Sequence, residues 1–503
     1  MNLFDFLKNS AKKYPDKTAL ICEEKRISFS RLKERSERLA AALQRLGLKK
    51  GIRAGILLYN SAEYVEILFA LMKIGAVGVP LNVRLMPTEI KKMCRHADVE
   101  FLFFEKALAD KVPPGITSLR RAVRLDGTGG KNAVLYESLF EDVADESAAS
   151  PVRETDISFI VYTAGTTADP KGVVLTHGSQ MANTENYSAA YGPAPEDIEL
   201  APTPLFHSST LGRVFTYVHC GMTFILCRSF VPEEALAIIE REKVTALTQA
   251  PTLYQMMITA GEKTRHDLKS VKRAVTGASA VPVQVKRGLK TLFPNAAFYD
   301  LYGMTEASPG ISILGPEYFM EKTGCVGRPM KRVRIRIEGN AGVGEIICRG
   351  PNVMKEYYKD PGATAAALEN GWLHTGDMGK IGEDGLLYIV GRKKDMIITG
   401  GENVYPAEVE NVIREYPAVA DVAVIGVPDD RWGEKIVAAV VIENAVEFRE
   451  ETFGLFCRER LADFKCPKAV FRVKMLPRNA AQKVLKNVLV MLYLKEKGQP
   501  NGE

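Results

Sequence analysis

At 503 residues the chain is too long for one hydrophobic core and calls for two or more domains. Its 46% hydrophobic and 25% charged residues are those of a globular protein, and a net charge of +6, small for this length, argues only weakly for a polyanionic partner; no nucleic acid is expected. Six histidines and eight scattered cysteines without a Cys-x-x-Cys pair argue against a zinc site or a disulfide framework, and for a reducing, cytoplasmic setting.

The first residues, Met1 to Asp5, open as an amphipathic helix and lack the basic-then-apolar order of a signal peptide. From 27 to about 47, Leu32, Leu39, Leu43 and Leu46 recur at helical spacing on a face otherwise full of Lys, Arg and Glu. Residues 54–59 read as a buried strand, 62–74 as a helix, 76–80 and 101–104 as further strands, so the first third is parallel α/β construction. The most apolar stretch, 65–80, is interrupted by Glu66 and Lys73 and is too short to cross a bilayer. At the other end, residues 499–503 read as a polar tail and not a peroxisomal address.

Between two β-prone runs, 157–161 and 173–176, lies Tyr162-Thr163-Ala164-Gly165-Thr166-Thr167-Ala168-Asp169-Pro170-Lys171-Gly172. Such a loop can turn backbone N–H groups and the hydroxyls of Thr163, Thr166 and Thr167 onto one anion, with Lys171 adding a full charge. It is not the common nucleotide P-loop, which needs Gly before its Lys, Ser or Thr after it, and a helix beyond; here a strand follows. A hairpin-like surface loop is the plain alternative.

This loop resembles the phosphate-binding signature of the adenylate-forming (ANL) superfamily, which includes acyl-CoA synthetases, luciferases and the adenylation domains of peptide synthetases. The family usually shows Ser-Gly-Thr-Thr-Gly where this chain has Ala164-Gly165-Thr166-Thr167-Ala168. The resemblance continues along the chain. His207, in an apolar run, falls where acyl-CoA synthetases gate or line the acyl site. Amino-acid-activating relatives have Asp there, and a neutral imidazole cannot supply that countercharge. Gly277-Ala278-Ser279, expected to follow a basic helix, resembles the loop between adenine and acyl group. In Tyr299 to Glu306 the resemblance implies that Asp300 and Tyr302, with Leu301 and Gly303 between and beside them, meet adenine. Thr305 would meet the α-phosphate and Glu306 would hold Mg²⁺, for which a carboxylate oxygen is a suitable ligand. Acetate-activating relatives place Trp at 303, so Gly303 is expected to leave room for a longer or ring-bearing acid.

Residues 344–346 and 357–358 read as strands closing the large domain. Trp372 to Asp377 resembles the family's ribose motif, with Asp377 accepting both hydroxyls; Arg392 would contact the nucleotide and Lys394 would be the hinge. Gly400 and Gly401, before a helix from 407, resemble the loop lining the pantetheine tunnel. Lys465, Lys468, Arg472 and Lys474 make the late chain basic, either a solvated face or a meeting place for CoA phosphates. Finally Ala481-Gln482-Lys483 resembles the last family motif, in which Thr-Gly precedes the catalytic lysine.

Taken together, the resemblance implies an α/β fold with a large N-terminal multi-layer domain, 1–393, and a small C-terminal α+β domain, 394–503, joined by a hinge. It implies an AMP-forming acyl-CoA synthetase using ATP, Mg²⁺ and coenzyme A on a medium-chain, longer fatty or aryl acid. No transmembrane segment is expected, and a homodimer is left open. The catalytic set would be Lys483, Thr305, Glu306 and His207. Alternatives are an adenylating enzyme with another acceptor, or a nucleotide- or acyl-binding homologue with weakened catalysis. The departures at 164, 168, 481 and 482 imply slow adenylation.

Overall fold

The computed structural model describes residues 1–127, 133–141, 151–163, 171–322, 324–339, 342–443, 447–478 and 484–498. Ala164, Gly165, Thr166, Thr167, Ala168, Ala481, Gln482 and Lys483 lie outside them.

The α/β alternation expected for the first third is present. Parallel strands Val77–Pro80, Arg53–Leu57, Phe101–Phe104, Arg121–Arg124 and Ala133–Leu135 stand side by side in that order. Strand Ile157–Thr163 joins them in parallel at Val77–Pro80, then turns into the antiparallel strand Lys171–Thr176. The helix Ala62–Ile74 starts at Ser61, whose hydroxyl accepts from the Tyr64 N–H, and stops at Gly75 in the left-handed region. It is almost wholly buried, and its inward Glu66 is paired with Arg35 Nε at 2.6 Å. That burial explains the hydropathic run at 65–80 without a membrane, and no helix among the described residues is long and apolar enough to cross one.

A second sheet carries a parallel run of strands in the order Thr223–Leu226, Ile198–Ala201, Ala246–Gln249, Arg273–Gly277 and Ala297–Gly303. Gly310–Leu314 then pairs antiparallel with the last of these. Helices from both halves fill the space between the sheets. Phe69 of Ala62–Ile74 and Phe159 of the first sheet both close on Phe215 of the helix Ser208–Cys220, at ring separations of 5.6 and 5.9 Å. Burying each such ring is worth about 1.5–3 kcal/mol.

The basic helix expected before residue 275 is absent. Residues 262–272 are turns and irregular chain, in which Glu240 accepts from the Asp267 N–H at 2.9 Å and pairs with His266 Nδ1 at 2.8 Å. These two bonds pin the segment to the helix Pro232–Glu242 instead.

Beyond Leu387–Arg392, which belongs to the second sheet, a short 3₁₀ turn at Lys393–Asp395 leads into a separate sheet. Its strands are Glu402–Val404, Ile397–Thr399, Gly433–Ile442 and Val419–Asp429, with Ala469–Arg472 parallel to Gly433–Ile442. Helices Pro406–Ile413 and Glu450–Arg458 cover one face around Val424 and Ala438, and Lys486–Gly498 covers the other around Val437 and Phe471. The small unit has cores of its own.

Candidate active site

The second sheet's strands end together, and three groups of predicted residues meet at those ends. The first starts at Asp300. Its carboxylate, 8% exposed, accepts from Thr276 Oγ1 at 2.9 Å on the neighbouring strand. Burial pushes its pKa up to about 6, against the smaller opposing effects of that bond and of the nearby Lys286. Two residues on along the strand, the Tyr302 hydroxyl donates to Asp377 Oδ2 at 2.7 Å. The ring of Tyr302 is itself buried. Asp377 Oδ1 takes Arg392 Nε at 2.6 Å across an antiparallel pair. Tyr302, Asp377 and Arg392 are thus linked in one run of polar contacts, with Asp300 two residues before Tyr302 on the same strand.

The second group is built on the start of Ser208–Cys220. His207 is the residue before its first turn, its ring tilted against Phe206 at 4.5 Å. Burial, with Arg84 adding positive charge nearby, lowers its pKa to about 4. The imidazole is therefore neutral at physiological pH, as the argument against an ammonium substrate requires. Ser208 Oγ lies 2.9 Å from Thr305 Oγ1, which ties the helix start to the turn carrying Thr305 and Glu306.

The third group joins that turn to the hairpin. Glu306 is buried, and its Oε1 accepts from the Tyr357 hydroxyl at 2.8 Å. Lys171 Nζ stands 4.9 Å from the centroid of the same Tyr357 ring, a cation–π distance. Thr163 and Lys171 face each other across the mouth of the hairpin. Gly165, Thr166 and Thr167 belong to the loop outside the described residues, as does Lys483.

Gly277 ends its strand where a Cβ would stand 2.9 Å from the Leu301 carbonyl oxygen, and Ala278 and Ser279 are exposed beyond it. Ala278 takes a φ of +70°, a left-handed conformation costly for any residue with a Cβ. Gly303 corrects the expectation attached to it. A Cβ there would lie 1.7 Å from the Pro309 carbonyl oxygen, so glycine is required by the close backbone approach and does not by itself size the acid. Gly400 and Gly401, at φ +59° and +85°, form the tip between two short strands. The Gly400 N–H donates to the Trp432 carbonyl at 2.8 Å, and Trp432 is 37% exposed with Arg431 over its ring.

Sequence reasoning missed Tyr357, Ser208, Thr276 and Glu345. Tyr357 was legible only as a strand residue. Glu345 accepts from the Gly376 N–H and from Lys393 Nζ, both at 2.9 Å, so one buried carboxylate steadies the turn before Asp377 and the residue beside Lys394. Nothing local in the sequence marks either role.

Residues 7–358 match the family model described as AMP-binding enzyme, and residues 408–483 match that of the AMP-binding enzyme C-terminal domain. The chain is 36% identical over 484 residues to a feruloyl-CoA synthase of Amycolatopsis sp, covering 95% of this chain and 96% of that one. It is 34% identical over 493 residues to the 2-succinylbenzoate–CoA ligase of Bacillus subtilis (strain 168), covering 96% and 97%. Among solved structures it is similar to the Bacillus subtilis O-succinylbenzoate coenzyme A synthetase in complex with ATP and magnesium ion, with a TM-score of 0.84, 33% identity and coverage of 96% and 98%.

Proposed function

The chain belongs to the AMP-binding enzyme family, as an AMP-forming acyl-CoA synthetase, and from that premise we propose how its residues divide the work and that its acid is an aryl acid. The reaction has two halves. A carboxylic acid attacks the α-phosphorus of ATP, releasing pyrophosphate and leaving acyl-AMP; the thiol of coenzyme A then displaces AMP to give the acyl-CoA.

The observation that carries the division of work is the convergence of Lys171, Tyr357 and Glu306 beside the Ser208–Thr305 contact. In the first half-reaction two anions must approach each other. Lys171 and the hairpin threonines hold the phosphates, Thr305 donates to the α-phosphate, and Lys483 neutralises charge as it develops. Glu306 suits Mg²⁺. Among the described residues no three His, Cys, Asp or Glu side chains stand together as a cage, and Mg²⁺ favours one or two carboxylates with phosphates and retained water. Held by Glu306, that ion would supply neutralisation of phosphate charge. Asp377 and Arg392 hold the ribose side, Asp300 and Tyr302 the adenine side, and His207 borders the acyl group without bringing charge to it. Gly277, Ala278, Ser279, Leu301 and Gly303 line the slot by their backbone. In the second half-reaction positioning of the thiol dominates, and Gly400 and Gly401 line its approach. We place the domain boundary between 393 and 394, with Lys394 as hinge and 394–503 as the mobile unit. A reducing cytoplasm suits the eight unpaired cysteines, and size-exclusion chromatography with light scattering tests a homodimer.

An aryl acid is favoured over an alkanoic one by the likeness to feruloyl-CoA synthase and to the 2-succinylbenzoate ligase. A CoA-thioester assay with Mg²⁺ and ATP across short, medium, long-chain and aryl acids tests this. Aryl acids should give the highest kcat/KM with one AMP and one pyrophosphate per thioester. A preference for long alkanoic acids would overturn the aryl assignment.

Asp300 sets a pH dependence. Its folded-state pKa of about 6 means that the carboxyl is neutral below that value and ionised above it. The ionised form is the stronger acceptor for an amine hydrogen. KM for ATP should therefore rise as pH falls through about 6 and level off above 7, and Asp300→Asn should flatten that profile. An unchanged profile in Asp300→Asn would assign the titration to another group.

A further inference from the structure

The back of the hairpin that carries Thr163 and Lys171 holds a cluster of side chains that the mechanism above does not use. Thr163 stands opposite Lys171, Tyr162 opposite Gly172, and Tyr357 of the third strand opposite Val173. Side chains alternate across a strand, so this ribbon has two faces. Thr163, Lys171 and Tyr357 share the face toward Glu306, and Tyr162 and Tyr358 share the other. Packing follows the same division. Val161, Val173 and Tyr357 belong to one core, and Ile160, Val174, Tyr162 and Tyr358 to another.

Behind the second face ends the helix Pro87–His96. His96 Nδ1 lies 2.7 Å from the Tyr162 hydroxyl, which also reaches the Met93 carbonyl at 3.3 Å. The imidazole stands edge-on to two tyrosine rings, 5.8 Å from that of Tyr162 and 5.7 Å from that of Tyr358. Gly172 is flanked by the same tyrosines; a Cβ there would meet Ile160 Cγ2 at 3.0 Å and each tyrosine at 3.4 Å. The chain just after the helix completes the hold. Asp98 accepts from the Tyr358 hydroxyl at 3.2 Å and from Lys359 Nζ at 2.6 Å, and the same ammonium donates to the His96 carbonyl at 3.0 Å. Asp98 and Lys359 sit at φ +49° and +56°. Two left-handed backbones in one contact carry a cost that the surrounding structure must maintain, and such strain gathers where geometry matters.

We propose that His96 is a positioning residue for the triphosphate end of ATP: it locks Tyr162 and Tyr358 on the back of the ribbon and so fixes Thr163, Lys171 and Tyr357 on the front. The proposal rests on the reading that Thr163 and Lys171 hold the phosphates. His96 touches no reacting group. Its effect passes through the chain on both sides of the hairpin mouth. Tyr162 precedes Thr163, and Tyr358 follows Tyr357, whose hydroxyl donates to Glu306 and whose ring lies under Lys171. A small misplacement of such groups costs rate even when its origin is remote from the chemistry. Only the first half-reaction handles the β- and γ-phosphates, so a loosened ribbon slows acyl-AMP formation and spares the transfer to CoA.

The test measures the two half-reactions apart. His96→Phe keeps a ring between the tyrosines and removes the bond to Tyr162. It should raise KM for ATP in ATP–pyrophosphate exchange about three- to tenfold, the range of one neutral hydrogen bond, and leave thioester formation from supplied acyl-AMP and CoA unchanged. His96→Asn, whose amide reaches the place of Nδ1, should restore the native KM. Tyr162→Phe removes the same bond from its other end and reports on it even where His96→Phe fails to fold. The double variant, His96→Phe with Tyr162→Phe, should be no worse than either alone, because one interaction is lost only once. A native KM for ATP in both single variants, an equal fall in both half-reactions, or losses that multiply in the double variant would overturn the role of His96. Lys171→Met is measured beside them. A KM for ATP unmoved in Lys171→Met would overturn the phosphate reading of the hairpin, and the role of His96 with it.

Discussion

Lys483→Ala should abolish acyl-AMP formation while leaving thioester formation from supplied acyl-AMP largely intact. The loss of a preorganised charge at the point where negative charge develops typically costs on the order of 10²–10³ in rate. ATP–pyrophosphate exchange reads the first half-reaction, and conversion of synthetic acyl-AMP with CoA reads the second. The opposite pattern is expected at Lys394, the proposed hinge. Lys394 sits in the 3₁₀ turn between the large and small sheets, flanked by Lys393, which is tied to Glu345 at 2.9 Å. Lys394→Pro fixes φ near −65° and should trap one pose, so exchange survives and thioester formation fails. Equal loss of both half-reactions in Lys483→Ala, or normal overall turnover in Lys394→Pro, would remove the corresponding assignment.

Glu306→Gln is expected to be nearly as severe. The carboxylate is 7% exposed and takes the Tyr357 hydroxyl at 2.8 Å; glutamine keeps its shape and an acceptor for that hydroxyl, and removes the charge. Exchange should fall by about 10²–10³ and require more Mg²⁺ if, as proposed, Glu306 is the ion's anionic protein ligand. Tyr357→Phe is the milder partner. It removes one hydrogen bond and leaves the ring beneath Lys171, so a loss of about tenfold is expected. A Mg²⁺ titration of both variants checks this. Unchanged Mg²⁺ dependence in Glu306→Gln would move the metal elsewhere.

Local order in this protein was legible in its sequence where periodicity or a cap dictates it. The alternation through residues 54–104 became parallel strands and a buried helix, and the chain after Lys171 became a strand and not a helix, as the β-prone run 173–176 implied. The motif spacing was sufficient for the family, because residue types that bind a nucleotide recur in a set order along the chain. The segment before 275 was misread because its basic pattern carries no information about Glu240, which captures it.

The partners of the site residues were decided only by tertiary structure. Tyr302 reaches Asp377 over 75 residues and Tyr357 reaches Glu306 over 51, and both pairings depend on which strands become neighbours. Gly303 shows the same limit from the other side. As a letter it suggested space; as a backbone atom pressed on Pro309 it allows none. His96 and Tyr162, 66 residues apart, carry no signal in sequence that they meet. Their contact comes from packing a helix end onto the back of a sheet, where solvent is excluded and every missing hydrogen bond has a cost. Chain order determined the chemistry this protein belongs to, and exclusion of water decided which side chains face it.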